Sequence, residues 1–382
     1  MLHSNEALPV LLLTGYLGSG KTTLVNRILS NRKGIKFAVI VNDLGEVNID
    51  ASLIEKGGVV GKKDDSLVAL QNGCICCTLK MDLVEQIEEI SSTGRFDYIV
   101  IEASGICEPA PIAQTICSLP ALSDKFGKDG QSVRLDCIVT VVDALRMQSE
   151  FSCGDTLPLG KFDEDDLEKL IIEQIEFCNI ILLNKASEVN AEELGRIKSI
   201  IHALQPKARI IECDFCDIDL SSILDTKMFD FDQVATSAAW IDEIEGEHHH
   251  HDDDEEGEAE EYDVSTFVYY RRKPFDINRF DNYVAKKWDK SVIRAKGLCY
   301  FSDEIDKCYL FEQAGIQKSI KDAGLWYATM PKDELAEMML KDPNLARDWD
   351  KEYGDRMIKI VFIGQHMDQD AICRDLDKCI AD

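Results

Sequence analysis

Basic residues are scarce in this sequence: 42 Lys and Arg stand against 71 Asp and Glu, a formal net charge of −29 at pH 7. Such a balance repels phosphodiester backbones and anionic lipid, which excludes nucleic acid and membrane surfaces as partners. Much of the charge is local. Residues 241–263 hold 13 acidic side chains and no Lys or Arg, leaving −16 for the rest of the chain. A long apolar run is also missing. Residues 9–13 are too few to span a bilayer. No basic segment precedes them and no cleavage site follows, so they read as a buried strand and the protein as cytoplasmic. No long internal repeat is visible. Nor is cysteine used as in small secreted domains. The 14 thiols are spread along 382 residues without a secretory signal, which reads as reduced cytosolic cysteine, some of it metal-ligating.

What is present is an alternation of apolar runs with helical patterns. Strands are expected at residues 8–14, 37–41, 67–70, 98–102, 135–142, 179–183 and 208–212. Helices are expected at 21–30, 81–91, 164–176 and 192–204. That order predicts an α/β fold, a mostly parallel sheet covered on both faces. Ligands of such sheets sit at the carboxyl ends of the strands. The segments following residues 14, 41, 70 and 102 are therefore expected to meet on one edge. Three regions follow: 1–228, a nucleotide-binding domain; 229–262, an acidic His-rich linker; and 263–382, a smaller α+β domain. The last shows strands at 264–270, 292–301, 307–311 and 357–364 and helices at 277–288, 332–340 and 369–380. This is the order of a ferredoxin-like split β-α-β-β-α-β unit with extra elements.

Gly15-Tyr16-Leu17-Gly18-Ser19-Gly20-Lys21-Thr22 is a complete phosphate-cradling loop between a strand and a helix. Its backbone N–H groups form an anion nest, and Lys21 brings a point charge to the β- and γ-phosphates. Gly15, Gly18 and Gly20 permit close backbone approach. Thr22 is the expected Mg²⁺ ligand, followed by Thr23. Residues 99–102 form a Walker B-like strand, whose terminal Glu102 can hold a metal-bound water or orient the attacking one. Gly105 is placed to sense the γ-phosphate. Asp43 could reach the metal or its waters from the second strand, with Glu46 a weaker candidate. Asn184-Lys185 ends a buried strand as a guanine-reading segment does. There the Asn bonds the base and the Lys stem packs over it. The Asp that normally follows, accepting the guanine N1–H and amino protons, is Ser187 here. A hydroxyl is the weaker acceptor, and Glu188 is the neighbouring carboxylate. GTP is favoured over ATP.

Cys74-Ile75-Cys76-Cys77 places three thiols within four residues after the Gln71-Asn72-Gly73 turn. Three thiolates can occupy one side of a tetrahedral zinc site and leave the fourth position open. The competing reading, cysteines packed as small hydrophobes, is the weaker one at a sheet's ligand-binding edge. Cys213-Asp214-Phe215-Cys216 lacks a second pair and reads as structural. Cys107 stays undecided, and the other thiols read as core or helix-face residues. His248, His249, His250 and His251 stand among carboxylates. Metal capture and a solvated linker are equally open there.

Together these features resemble the CobW-like family of P-loop GTPases, which includes zinc metallochaperones. The resemblance runs through residues 14–23, Asn42-Asp43-Leu44-Gly45-Glu46, Gly73-Cys74-Ile75-Cys76-Cys77, Glu102-Ala103-Ser104-Gly105 with Pro109, and Asn184-Lys185. It continues into the second domain through Arg294-Ala295-Lys296-Gly297, Gly354-Asp355-Arg356 and Val361-Phe362-Ile363-Gly364. It implies GTP hydrolysis coupled to transfer of zinc, or in some members cobalt, to a client metalloprotein. It also implies metal at Cys74, Cys76 and Cys77, and guanine contact at Asn184 and Lys185. Some eukaryotic members dock a methionine aminopeptidase through an N-terminal motif; none precedes the first strand, so that client is not expected. Two readings compete with the metallochaperone. One is a P-loop ATPase or kinase with structural cysteines; the other is a non-enzymatic zinc buffer or sensor. The client, the native metal, the fourth ligand and self-association into a homo-oligomer are left open.

Overall fold

A computed structural model describes residues 7–30, 34–41, 80–126, 132–151, 165–230, 264–315, 317–341, 345 and 349–382. The chain forms two compact units, Met1–Ser152 with Leu170–Ala239 and Cys153–Lys169 with Trp240–Asp382.

The N-terminal unit is built on six strands: β1 (Leu8–Thr14), β2 (Phe37–Val41), β3 (Tyr98–Glu102), β4 (Val133–Asp143), β5 (Ile180–Asn184) and β6 (Arg209–Cys213). Their order is β2-β3-β1-β4-β5-β6, and every pairing is parallel. Helices α1 (Lys21–Leu29), α2 (Lys80–Thr93), α3 (Pro109–Phe126), α4 (Ala144–Phe151) and α6 (Ala191–Leu204) complete it, with α5 (Asp165–Glu176) from Leu170 on. Unbroken apolar strands are the mark of a sheet covered on both faces. On one face Leu11, Leu13, Val39, Val100, Val139 and Leu182 pack with Leu24, Val25 and Ile28 of α1. Each such side chain contributes roughly 1.5–3 kcal/mol by leaving water. At the start of α6 the Asn190 side chain accepts from Glu193 N–H at 2.9 Å, satisfying a donor the helix cannot.

Two helices, α3 and α4, were not among the expected elements. Pro109 and Pro111 sit in the first turn of α3, where no helical bond is lost, but Pro120 is interior and removes one. The expected strand at 67–70 and the Gly73 turn lie outside the described residues.

The opposite end of the sheet holds a closed polar cluster. β1 pairs Val10 with Leu135 and Leu11 with Cys137, so Asp136 is the extra residue of a bulge, a device that re-aims a side chain. Its buried carboxylate accepts from Tyr98 Oη at 2.5 Å, Arg134 Nη1 at 2.7 Å, Thr226 N–H at 3.0 Å and Lys227 N–H at 2.7 Å. Burial works against the ionised form. The hydrogen bonds from Tyr98, Arg134 and the two backbone amides outweigh it and hold the carboxyl below its usual range. The chain after β6 is thereby clasped to the sheet.

The C-terminal unit comprises β7 (Val264–Arg271), α7 (Ile277–Lys286), β8 (Val292–Cys299), β9 (Lys307–Ala314), β10 (Gln317–Leu325), α8 (Lys332–Lys341), β11 (Ile358–Gln365) and α9 (Gln369–Asp377). Its sheet runs β10-β9-β8-β11-β7. β11 is antiparallel to both β7 and β8 and lies between them, so β7-α7-β8 is a split β-α-β unit as expected. The core is aromatic, with Phe275 stacked on Phe280 at 4.5 Å and Phe267 on Phe362 at 4.9 Å between centroids. At Gly297 a Cβ would lie 2.0 Å from the Lys359 carbonyl oxygen, so only glycine admits β11 there. β10 is an addition to the expected elements. It is an edge strand made mostly of exposed residues, and so carries little of the apolar alternation that marks a strand in sequence.

Candidate nucleotide site

The glycine-rich loop leaves β1 and enters α1 directly. Gly15 has φ 133° and Gly20 φ 117°, a region L side chains avoid. A Cβ at Gly15 would meet the Val141 carbonyl at 2.3 Å, and one at Gly20 would meet Asn184 Nδ2 at 2.5 Å. The first intrahelical bond is Leu24 N–H to the Gly20 carbonyl. The N–H groups of Lys21, Thr22 and Thr23 thus have no helical acceptor, and no side chain caps the helix. Amides so placed at a helix N-terminus are the arrangement that suits an anion. Lys21 is buried and its Nζ donates to the Tyr16 carbonyl at 3.1 Å, which folds it across the loop. Ser19 is buried as well, and its hydroxyl makes no hydrogen bond among the described residues.

Glu102 reaches this loop because β3 is the neighbour of β1, with Leu13 in register with Glu102. Thr22 Oγ1 donates to Glu102 Oε1 at 3.1 Å. The following segment presses on the loop, where a Cβ at Gly105 would lie 2.7 Å from Leu17 N. The buried Gln174 of α5 holds that segment, donating through Nε2 to the carbonyls of Gly105 at 3.4 Å and Cys107 at 3.2 Å. Lys21, Thr22, Glu102 and Gly105 are therefore brought together. Thr22 and Glu102 present oxygen donors only, the chemistry that suits Mg²⁺.

On the other side of the loop stands Asn184, buried at the end of β5. Its Nδ2 donates to the Ser19 carbonyl at 2.8 Å, and its Oδ1 accepts from Cys216 N–H at 3.1 Å. Lys185, at φ 60°, is ion-paired with Asp143 at the end of β4. Ser187 N–H donates to Asp214 Oδ1 at 3.1 Å. Ser187 and Glu188 are exposed.

The C-x-x-C segment, read from sequence as structural, lies at this edge. Cys216 Sγ is 3.4 Å from the Gly20 carbonyl. The hydrogen bond between the two thiols lowers the pKa of Cys213. The same bond, with burial, raises that of Cys216. By contrast burial pushes Cys137 and Cys178 up to about 12, which leaves them as inert core thiols.

Asp43, Glu46, Cys74, Cys76, Cys77 and His248, His249, His250 and His251 lie outside the described residues. Among the described residues no group of three or more His, Cys, Asp or Glu is placed to hold a metal ion. No helix among them is long and apolar enough to cross a membrane.

Residues 9–212 match the family model described as CobW/HypB/UreG, nucleotide-binding domain. The chain belongs to this family. Residues 264–380 match a second model, the Cobalamin synthesis protein cobW C-terminal domain. The chain is 35% identical over 390 residues to the zinc-regulated GTPase metalloprotein activator 1 of Dictyostelium discoideum, across 98% of this chain and 80% of that one. It is 27% identical over 376 residues to the zinc chaperone YjiA of Escherichia coli strain K12, across 95% of this chain and 96% of that one. The crystal structure of Zn(II)-bound YjiA GTPase from E. coli aligns over 98% of this chain and 100% of that one, with 22% identity and a TM-score of 0.42. The enzyme class read from the sequence, a GTPase, is that of the CobW family.

Three residues of this site were not singled out in the sequence: Asp143, Gln174 and Asp214. Asp143 carries a signal, a carboxylate closing an apolar strand that ends on the same edge as Glu102. Gln174, inside a helix, carries none; Asp214 directly follows β6, as Asp43 follows the second strand, but in sequence it reads only as the spacer of the C-x-x-C segment.

Proposed function

We propose that this CobW-family chain is a GTP-hydrolysing metallochaperone that takes zinc on Cys74, Cys76 and Cys77 and delivers it to a client metalloprotein. The observation that carries the reading is the phosphate loop joined to Glu102 through Thr22, in a chain whose relatives are named for both GTPase activity and zinc. We assign residues 1–228 to the GTPase domain, 229–262 to the linker and 263–382 to the CobW C-terminal domain.

In this reading the loop amides and the N-terminus of α1 bind the β- and γ-phosphates of GTP. Lys21 exchanges its bond to the Tyr16 carbonyl for a phosphate oxygen and opposes the charge that develops there. Thr22 and Glu102 are the residues that would hold Mg²⁺, with Asp43 as a further carboxylate. Bound there, Mg²⁺ supplies positive charge against the phosphate oxygens. Gly105 follows the γ-phosphate because it touches Leu17 of the loop. Asn184 and Lys185 face the base. Cys74, Cys76 and Cys77 stand in sequence between Asp43 and Gly105, so a change in either segment on hydrolysis alters the zinc site between them. By linkage, zinc then alters nucleotide affinity by the same factor.

The test is zinc titration of the full chain with a non-hydrolysable GTP analogue and with GDP, repeated on Lys21→Ala and Cys76→Ser proteins. The expected result is different zinc affinity in the two nucleotide states and weakened binding in Cys76→Ser. Equal affinities with negligible GTP turnover would instead make the protein a zinc buffer.

A further inference from the structure

A guanine-reading strand end needs a carboxylate, because guanine presents two adjacent donors, N1–H and the 2-amino group. A single ionised carboxylate accepts both in charge-assisted bonds about twice as strong as neutral ones. Position 187, where that carboxylate is expected, is a serine. The carboxylates nearby fall into distinct groups. Asp143 is paired with Lys185. Asp217 is paired with Arg27 at 2.7 Å. Glu188 is exposed and held only through its backbone, whose N–H donates to the Lys185 carbonyl. Asp214 is different. It forms no ion pair among the described residues, and its side chain accepts through Oδ1 alone, from the backbone N–H of Ser187 at 3.1 Å.

The sheet explains how a residue 27 positions away reaches this point. β5 and β6 are parallel neighbours with Asn184 in register with Cys213. Asp214 therefore leaves β6 beside Lys185 leaving β5. Two residues later Cys216 N–H is bonded to Asn184 Oδ1, which closes the two strand ends against each other. The Asn184 that faces the base and the Asp214 carboxylate are thus held in one hydrogen-bonded group. We infer that Asp214 supplies from the β6 loop the base-reading carboxylate that Ser187 lacks, and so makes this site specific for guanine nucleotides. This rests on reading the site as GTP-binding, and it concerns which residue selects the base. Adenine fits worse on the same chemistry, since its N1 is an acceptor and would face an acceptor.

The experiment measures Kd for GTP, ITP, XTP and ATP on the full chain and on Asp214→Asn and Ser187→Asp/Asp214→Ser proteins, with a thermal melt of each. Xanthine carries a carbonyl where guanine carries the 2-amino group, so an Asn at 214 can donate to it. Asp214→Asn is expected to weaken GTP by about ten- to a hundredfold, the size of a lost charged hydrogen bond, and to bind XTP more tightly than GTP. The double variant returns the carboxylate to position 187 and is expected to recover the preference for GTP. Inosine lacks the 2-amino group, so ITP on the unaltered protein reads the same contact without any substitution. It is expected to bind about tenfold or more weakly than GTP. A folded Asp214→Asn protein with an unchanged ratio of GTP to XTP affinity overturns the inference, and so does equal binding of ITP and GTP by the unaltered chain. In either case Asp214 serves only to clasp the Ser187 backbone. Unaltered protein that binds ATP as tightly as GTP overturns the GTP reading itself, a separate outcome that needs no variant.

Discussion

The two ends of the parallel sheet treat buried polar groups in opposite ways. At the amino end of β4 the Asp136 carboxylate takes four hydrogen bonds from Tyr98, Arg134, Thr226 and Lys227, and nothing remains to offer a ligand. At the carboxyl ends of β1, β3 and β5 the amides at the start of α1 have no helical acceptor, and two glycines hold conformations closed to other residues. Lys21 rests on a backbone carbonyl. The closed end uses its polar groups for stability, whereas the other end holds backbone amides outside the helical ladder beside the buried Lys21. Donors already satisfied by a buried carboxylate gain little from a ligand, whereas amides at a helix N-terminus gain a charged hydrogen bond from an anion.

Substitutions at the two ends should therefore separate stability from activity. The largest effect is expected from Asp136→Ala, which leaves the buried Tyr98 hydroxyl and the amides of residues 226 and 227 without their acceptor, while Arg134 keeps its pairing with Asp225. Buried donors left unpaired cost about 1–3 kcal/mol each, which together give a fall in Tm on the order of ten degrees in a thermal melt. GTP affinity measured below the transition should be unchanged. Loss of affinity in the still-folded protein would break the division between the ends. Lys21→Ala should do the reverse. GTP turnover should fall by about 10²–10³, as for loss of one preorganised charge-stabilising group, with Tm nearly unchanged. Next in size is Gln174→Leu, which removes the donor to the Gly105 and Cys107 carbonyls. A cost of about 1–3 kcal/mol for two buried acceptors left unpaired is expected. Slower GTP turnover with little change in GDP affinity is expected too, because the loosened segment is the one touching Leu17. Equal loss of both affinities would place Gln174 with the structural group.

The smallest effect is in the pH dependence. The Asp136 carboxyl titrates below its unfolded value, so its contribution is full above roughly pH 4 and disappears as pH falls through the lowered pKa. Urea midpoints between pH 2 and 6 should decline more steeply toward acid in the unaltered protein than in Asp136→Asn. Parallel curves would mean that the cluster is not a carboxylate clasp.

The end that carries the candidate site was largely legible because its signals are local. A glycine loop between an apolar strand and a helix, and an acid closing the run of residues 98–102, sit within a few positions of each other. Their meeting follows from the rule that parallel strands present their carboxyl ends together. The sequence pattern also foresaw the split β-α-β order of the C-terminal unit. It missed α3, whose interior Pro120 opposes a helix, and β10, whose exposed side chains give no alternation. Asp136 was not visible either, since a bulge is a matter of register between two strands.

Ser187 shows the boundary most clearly. The residues themselves pointed to a phosphate loop with Lys21, Thr22 and Glu102 beside it, and showed that position 187 lacks the expected acid. They offered Glu188, the neighbour in sequence, as the substitute. Only the tertiary structure brought Asp214 to the Ser187 backbone and Cys216 to Asn184. Those contacts depend on β5 and β6 lying side by side in register, and strand neighbours are chosen by the packing of the whole sheet rather than by any local stretch of chain.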